Sequence, residues 1–417
     1  MISNYRTQQQ FIRALACFAG AACTLLMAGT SLAADNGSPP RKTPEQVLQI
    51  EHATALPITR FYDTPNALHS TKPGDLLGKE VVKQYSLPIG ASAVRMLYHS
   101  KDAAGADVAS SAAILIPAGQ APRQGWPVVI FAHGTSGVAR QCAPSAMTDV
   151  YYGPLGLFEF IKAGLAVVAL DYHGLGTEGP HQYINKVAQS NDAIYSVTAA
   201  RIAVASLGAN WVVAGHSQGG LAAWGVAEQE AARHDPGYLG AVAVAAATLH
   251  DGWLVAHPDT THDAGFYVAW LAYGIHARFA EFQPTDMLSS AGMSHYDEIT
   301  HTGCWFYAFT LYRGVDAPAM VKPNWSQNPW VQKFFQENRV NAVAVAGPVL
   351  AIAGVGDTAV PLGAVREVID RACHHGQPVF FRPYPGLEHD QAMKQSMPEQ
   401  IRWIKDRFAG QPAESNC

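Results

Sequence analysis

WVVAGHSQGG, Trp211 to Gly220, is the stretch that decides how this chain is read. Trp211 to Ala214 is a short apolar run of β character, and Leu221 to Glu230 is rich in strong helix formers, so the residues between them form a sharp strand-to-helix turn. Gly215 and Gly219 stand two positions either side of Ser217. A nucleophile on such a strained turn leaves no room for side chains there, which is the steric reason for both glycines. Ser217 then stands clear of the backbone at the positive end of the following helix. An ordinary Gly-Ser turn is the bland alternative, and the flanking strand and helix argue against it.

Outward from this turn the chain alternates between strand and helix, which predicts an α/β fold with a mostly parallel sheet flanked by helices. Strands are expected at Trp126 to Ala132, Leu165 to Leu170, Trp211 to Ala214, Ala241 to Ala247, Pro348 to Ala353 and Pro378 to Phe381. Helices are expected at Leu157 to Ala163, Asp192 to Ala205, Gly219 to Arg233 and, without a break, Asp390 to Phe408. The strands are apolar throughout, as a sheet buried on both faces requires. Upstream, Lys79 to Tyr85, Ala93 to His99 and Val108 to Pro117 read as antiparallel strands at one edge. The core thus covers residues 46–249 and 342–417, interrupted by a largely helical insertion at 250–341 where aromatics crowd in.

With 417 residues, 48% of them hydrophobic, the chain has enough apolar side chains for a large core. Charged residues make up 15%, and the formal net charge of -5 provides no basic stripe, so nucleic-acid binding is excluded. Arg6 and Arg13 precede an uncharged run from Ala14 to Ala34 that ends in Ser31, Leu32 and Ala33. Residues 1–33 therefore read as an export signal cleaved after Ala33, leading to a secreted or periplasmic protein. An uncleaved anchor is the alternative, and the mild hydropathy of the run argues against it. Cleavage removes two positive charges and takes the net charge from -5 to -7. Residues 34–45, ADNGSPPRKTPE, read as a polar tether. Cys142, Cys304, Cys373 and Cys417 remain in the mature chain, an even number that suggests two disulfides with three pairings open. Free buried thiols are the alternative.

A serine hydroxyl becomes a good nucleophile when a base takes its proton, and the base works best when a carboxylate fixes its tautomer. In a doubly wound sheet the acid and the imidazole are expected at the carboxyl ends of later strands, in the order Ser, Asp, His. Asp357 directly follows the strand PVLAIA and its loop GVG, and His389 follows PVFFRPYPGLE in the same way. Ser217, Asp357 and His389 are therefore the expected catalytic residues. Asp171 also ends a strand, but it precedes the serine and is expected to hold its own loop. Glu388 and Asp390 flank His389 and are expected to tune its charge; His216 is expected to be buried under the turn, and His374 and His375 to be solvated. The developing oxyanion needs preorganised donors. These are expected from the backbone N–H of Gln218 and from Thr135, through its N–H with help from its hydroxyl, in the loop after Ala132.

With these residues assembled, the chain resembles the secretory lipase family of the α/β-hydrolase superfamily. The resemblance rests on HGTSG at His133 to Gly137, QCAPS at Gln141 to Ser145, DYHGLGTEGPH at Asp171 to His181, GHSQGG at Gly215 to Gly220, GDTAVP at Gly356 to Pro361 and the EHD around His389. It implies an α/β-hydrolase fold with a helical cap and an exported lipase or carboxylesterase that uses neither cofactor nor metal. It also implies disulfides Cys142–Cys304 and Cys373–Cys417. The partner it implies is a small-molecule or lipid ester, with transient contact to a lipid interface through the cap. A serine peptidase or amidase on the same scaffold is the alternative within enzymes, and the low-charge cap offers no acidic anchor for a peptide terminus. A non-catalytic binding protein is the alternative outside them, and intact Ser217, Asp357 and His389 argue against it.

Overall fold

The computed structural model describes residues 41–248, 264–340 and 343–417. The export signal and residues 34–40 of the tether lie outside them. The stretch expected to end as a tether instead starts a helix, α1, Pro44–Thr54. The Thr43 hydroxyl accepts the Gln46 N–H at 3.3 Å, and the Gln46 side chain accepts the Thr43 N–H at 3.0 Å. This reciprocal cap, with Pro44 in the first turn, nucleates the helix.

Among the described residues nine strands form one sheet: β1 Leu76–Val81, β2 Ser92–Lys101, β3 Asp107–Ile116, β4 Trp126–Ala132, β5 Ala166–Leu170, β6 Leu207–His216, β7 Tyr238–Val244, β8 Val349–Gly354 and β9 Val379–Tyr384. Their order is β1-β2-β3-β5-β4-β6-β7-β8-β9. The β1–β2, β2–β3 and β3–β5 pairs are antiparallel and the remaining pairs parallel, which matches the expected antiparallel edge on a parallel core. β1 lies nearer the N-terminus than the expected Lys79 to Tyr85. The β2–β3 hairpin closes because Asp102 Oδ1 accepts the N–H groups of Ala104 and Ala106, both at 2.8 Å, while Gly105 takes φ +83°.

Alternation along each central strand builds two cores. On β6, Trp211 and Val213 face one layer while Val212 and Ala214 face the other. The first layer packs against α3, Lys186–Ala203, and α4, Gln218–Arg233; the second packs against α2, Phe158–Lys162, and the C-terminal helix. α3 starts well before the expected Asp192, because the Asn185 side chain accepts the Ala188 N–H at 3.0 Å and caps it there.

Between β7 and β8 the chain forms a largely helical insertion, the segment expected as a cap. Its described helices are α5 Gly265–Arg278, α6 Pro284–Met287, α7 Ser290–Met293, α8 Tyr296–His301, α9 Trp305–Leu311 and α10 Pro329–Glu337. Phe266, Trp270, Phe282, Tyr312 and Phe334 are buried within it, so many of the aromatics that mark this segment serve the cap's own packing. After β8 come α11, Leu362–His374, and then two helices where one was expected: α12, His389–Gln395, and α13, Met397–Phe408. They part at Ser396, because Pro398 has no N–H to continue the ladder. Among the described residues no helix is long and apolar enough to cross a membrane.

Candidate active site

Ser217 joins β6 to α4 with φ 57° and ψ -118°, a backbone conformation that side chains rarely adopt. Such strain costs about 1–3 kcal/mol and persists because the surroundings impose it. The Ser217 N–H donates to Val244 O at 2.9 Å, and the Ala247 N–H donates to Ser217 O at 2.9 Å, so the neighbouring strand end holds both sides of the residue. A Cβ on Gly215 would meet Gly219 O at 2.0 Å, and one on Gly219 would meet Ala132 O at 1.8 Å. Both glycines are sterically required. Between buried neighbours, Ser217 is half-buried.

β8 delivers Asp357 and the loop after β9 delivers His389. Asp357 divides its carboxylate. Oδ1 accepts the N–H groups of Ala359 and Val360 at 2.9 and 2.8 Å, and Oδ2 lies 2.7 Å from His389 Nδ1. The loop thus fixes the carboxylate, and the carboxylate fixes the ring. Burial opposes a charge on His389, but the charge and hydrogen bond of Asp357, with the charge of Asp390, outweigh it and hold the imidazole above the usual histidine range. Among the described residues no hydrogen bond joins Ser217 Oγ to His389. Ser217 and His389 are instead brought together through His216, whose ring centroid is 4.4 Å from that of His389.

The other candidates have separate tasks. Asp171 Oδ1 accepts the Ser145 N–H at 2.7 Å, and its Oδ2 accepts the hydroxyls of Ser111 and Ser145 at 2.6 and 2.5 Å. It therefore ties its own loop to the QCAPS segment. Glu388 caps α12, and His374 and His375 are exposed. His216, His389 and Asp390 bring potential metal-ligand atoms within 4.8 Å of one another. Both nitrogens of His216 and Nδ1 of His389 are already hydrogen-bonded, so this group is a poor metal site.

Thr135 lies beside the serine: a Cβ on its neighbour Gly134 would be 3.2 Å from Ser217 Cβ. The Thr135 carbonyl accepts the Tyr151 hydroxyl at 2.6 Å, and its Oγ1 is 2.9 Å from the Tyr183 hydroxyl. As the first residue of α4, Gln218 has a backbone N–H without an intrahelical partner. Its side chain is held separately. His181 Nδ1–H donates to His173 O at 3.0 Å, so His181 Nε2 accepts the Gln218 amide N–H at 3.1 Å.

The cap is fastened at this loop. Disulfide Cys142–Cys304 bridges the QCAPS segment to the residue preceding α9, and the Trp305 N–H donates to Ser136 O at 2.8 Å. Glu51 of α1 accepts the N–H groups of Cys304 and Tyr307, both at 2.9 Å. The second bridge, Cys373–Cys417, ties the C-terminus to α11. Neither Glu51 nor the tyrosines 151, 152 and 183 carry a motif that sequence reading could have used; only the fold brings them here.

Three comparisons bear on this arrangement. A family model described as Secretory lipase matches residues 146–416. Lipase A of Arthroderma benhamiae is 23% identical over 397 residues, covering 86% of this chain and 80% of that protein. Among solved structures, Candida antarctica lipase A in its closed state superposes with a TM-score of 0.73 at 18% identity, covering 87% of this chain and 89% of that one. The rice cell wall degrading esterase LipA from Xanthomonas oryzae superposes with a TM-score of 0.69 at 16% identity, covering 82% of this chain and 100% of that one. At these identities the structural matches speak for the shared α/β-hydrolase fold.

Proposed function

The chain belongs to the secretory lipase family, and from that membership, which makes it a carboxylic ester hydrolase, we propose an exported serine hydrolase working through an acyl-enzyme. The observation that carries this reading is the 2.7 Å pairing of His389 with Asp357, beside a serine held on a strained turn. His389 Nε2 takes the proton of Ser217 Oγ as that oxygen attacks the ester carbonyl. Negative charge gathers on the carbonyl oxygen, where the N–H groups of Gln218 and Thr135 receive it. As the tetrahedral intermediate collapses, His389 passes the proton to the departing alcohol, leaving the acyl group on Ser217. Water, deprotonated by the same imidazole, then attacks the acyl carbonyl, and His389 returns the proton to Ser217 Oγ as the bond from Oγ to the acyl carbon breaks and the acid leaves. Asp357 keeps the ring in the Nδ1–H tautomer throughout and stabilises the imidazolium.

Export fits the two disulfides, which persist in oxidising compartments, and the Ala33 cleavage site supplies the route. The substrate is an ester with an apolar acyl group, entering beside the aromatic cap, which touches the lipid interface transiently. Hydrolysis of p-nitrophenyl esters of increasing chain length, with and without an emulsion, run beside aminoacyl amides, tests the reading. Turnover of esters alone supports it; turnover of amides alone replaces it with a peptidase or amidase, and absence of both with a binding protein.

A further inference from the structure

His216 precedes the nucleophile, and both of its ring nitrogens are committed. Nε2 lies 3.3 Å from the backbone oxygen of His389, and a carbonyl only accepts, so Nε2 carries the hydrogen. Nδ1 lies 2.6 Å from the Tyr152 hydroxyl. Burial, reinforced by the charge of His389, pushes His216 far below the usual histidine range, so the ring is neutral and Nδ1 presents a lone pair. The Tyr152 hydroxyl therefore donates. The opposite tautomer would turn a lone pair against the carbonyl of His389.

The chain strains to put Tyr152 there. Val150 and Tyr151 take φ 53° and 59°, consecutive left-handed conformations in which a β-branched valine is a rare occupant. As a result adjacent tyrosines serve two sides of the site. Tyr151 reaches the Thr135 carbonyl at 2.6 Å, and Tyr152 reaches His216 at 2.6 Å. Gly134 leaves the space: a Cβ on it would lie 2.2 Å from the Tyr152 hydroxyl oxygen. Strain in such a place is characteristic of functional segments.

We propose that Tyr152 and His216 are positioning residues for the ester hydrolysis. Tyr152 fixes the tautomer of His216, and His216 Nε2–H holds the backbone carbonyl of His389, so the peptide next to the nucleophile also anchors the base. The inference rests on the assignment of Ser217, Asp357 and His389 above. Neither residue touches the reacting atoms. Loss of the relay therefore affects the frequency of productive geometry, which appears in kcat, and leaves substrate binding, which appears in KM, as it was. The groups that face the His389 ring are Asp357, Asp390 and His216, and a loosened ring loses part of the first of these contacts.

Steady-state hydrolysis of p-nitrophenyl butyrate across the pH range by Tyr152→Phe, His216→Leu and His216→Gln tests the proposal. Tyr152→Phe should lower kcat about 10-fold and His216→Leu about 100-fold, with KM within about twofold of wild type. In both, the acid limb of kcat/KM should move down toward the ordinary histidine range. Gln at 216 keeps an N–H able to reach the carbonyl and should recover most of the lost rate. Folded Tyr152→Phe and His216→Leu proteins with wild-type kcat and an unmoved limb would overturn it. Nitrogen NMR of the histidine rings in the wild-type protein needs no variant: His216 should be the Nε2–H tautomer, and an Nδ1–H signal also overturns the relay. Fluorophosphonate labelling of the wild-type protein runs alongside. Failure to label Ser217 sinks the catalytic assignment, whereas labelling with insensitive relay variants sinks only the relay.

Discussion

His389 Nδ1 lies 2.7 Å from Asp357 Oδ2, a contact made across 32 residues by the ends of two adjacent parallel strands. That contact raises the affinity of the ring for a proton. In the proposed mechanism the base is the neutral ring, so kcat/KM should fall as pH drops through a value above the usual histidine pKa of about 6.5. Stability should move the other way. A raised folded pKa stabilises the protein fully below the unfolded value, and this contribution is lost as pH rises through the folded one. Asp357→Asn should lower kcat about 10⁴-fold and bring the remaining acid limb to lower pH, as read from pH-rate profiles.

Thr135 presents its hydroxyl 2.9 Å from the Tyr183 hydroxyl. If Tyr183 donates to it, the Thr135 proton is free for the oxyanion. Thr135→Val should then lower kcat about 100-fold with little change in KM, whereas Thr135→Ser should stay near wild type. Equal kinetics for Thr135→Val and wild type would restrict the donors to backbone N–H groups.

The legibility of the chain in its sequence follows the range of the interactions involved. Gly215, Ser217 and Gly219 were readable because their constraint is steric and local. The contact between Asp357 and His389 was readable because an open parallel sheet places strand ends together. Helix α1 escaped because the signal of its cap, Thr43 with Gln46, lay in a stretch whose prolines suggested a tether, and Pro398 was overlooked as the break between α12 and α13. The contact of Tyr152 with His216 joins residues 64 apart through a strained turn, and no local pattern announces it. For the cysteines, residue counting left three pairings open, and the Cys142–Cys304 and Cys373–Cys417 bridges implied by the family resemblance are the ones formed.

Cys142–Cys304 closes a separation of 162 residues and Cys373–Cys417 one of 44. Chain entropy assigns about 5 kcal/mol to the longer loop and about 4 kcal/mol to the shorter. Cys142→Ser/Cys304→Ser should therefore lower the urea midpoint more than Cys373→Ser/Cys417→Ser, and it should also weaken the anchoring of α9 at the loop that carries Ser136. A smaller shift for the first pair would contradict this ranking.

Lys186 on α3 reaches Glu228 on α4 at 2.5 Å, with both side chains under a tenth exposed, and it also donates to the Arg339 carbonyl at the exit of the cap. Lys186→Met leaves a buried carboxylate without this partner and should cost about 3–5 kcal/mol in denaturant unfolding. Lys186→Met/Glu228→Leu should cost less than the single variant. A double variant that is the less stable of the two would show that the pair stabilises beyond its desolvation.

In the proposed mechanism Ser217 carries the acyl group. Wild type and Ser217→Ala, both folded, are mixed with a p-nitrophenyl ester, quenched in acid, digested and weighed by mass spectrometry. One acyl adduct is expected, on the peptide containing Ser217, with release of p-nitrophenol at background rate by Ser217→Ala. An adduct on another residue, or wild-type turnover by Ser217→Ala, would contradict it.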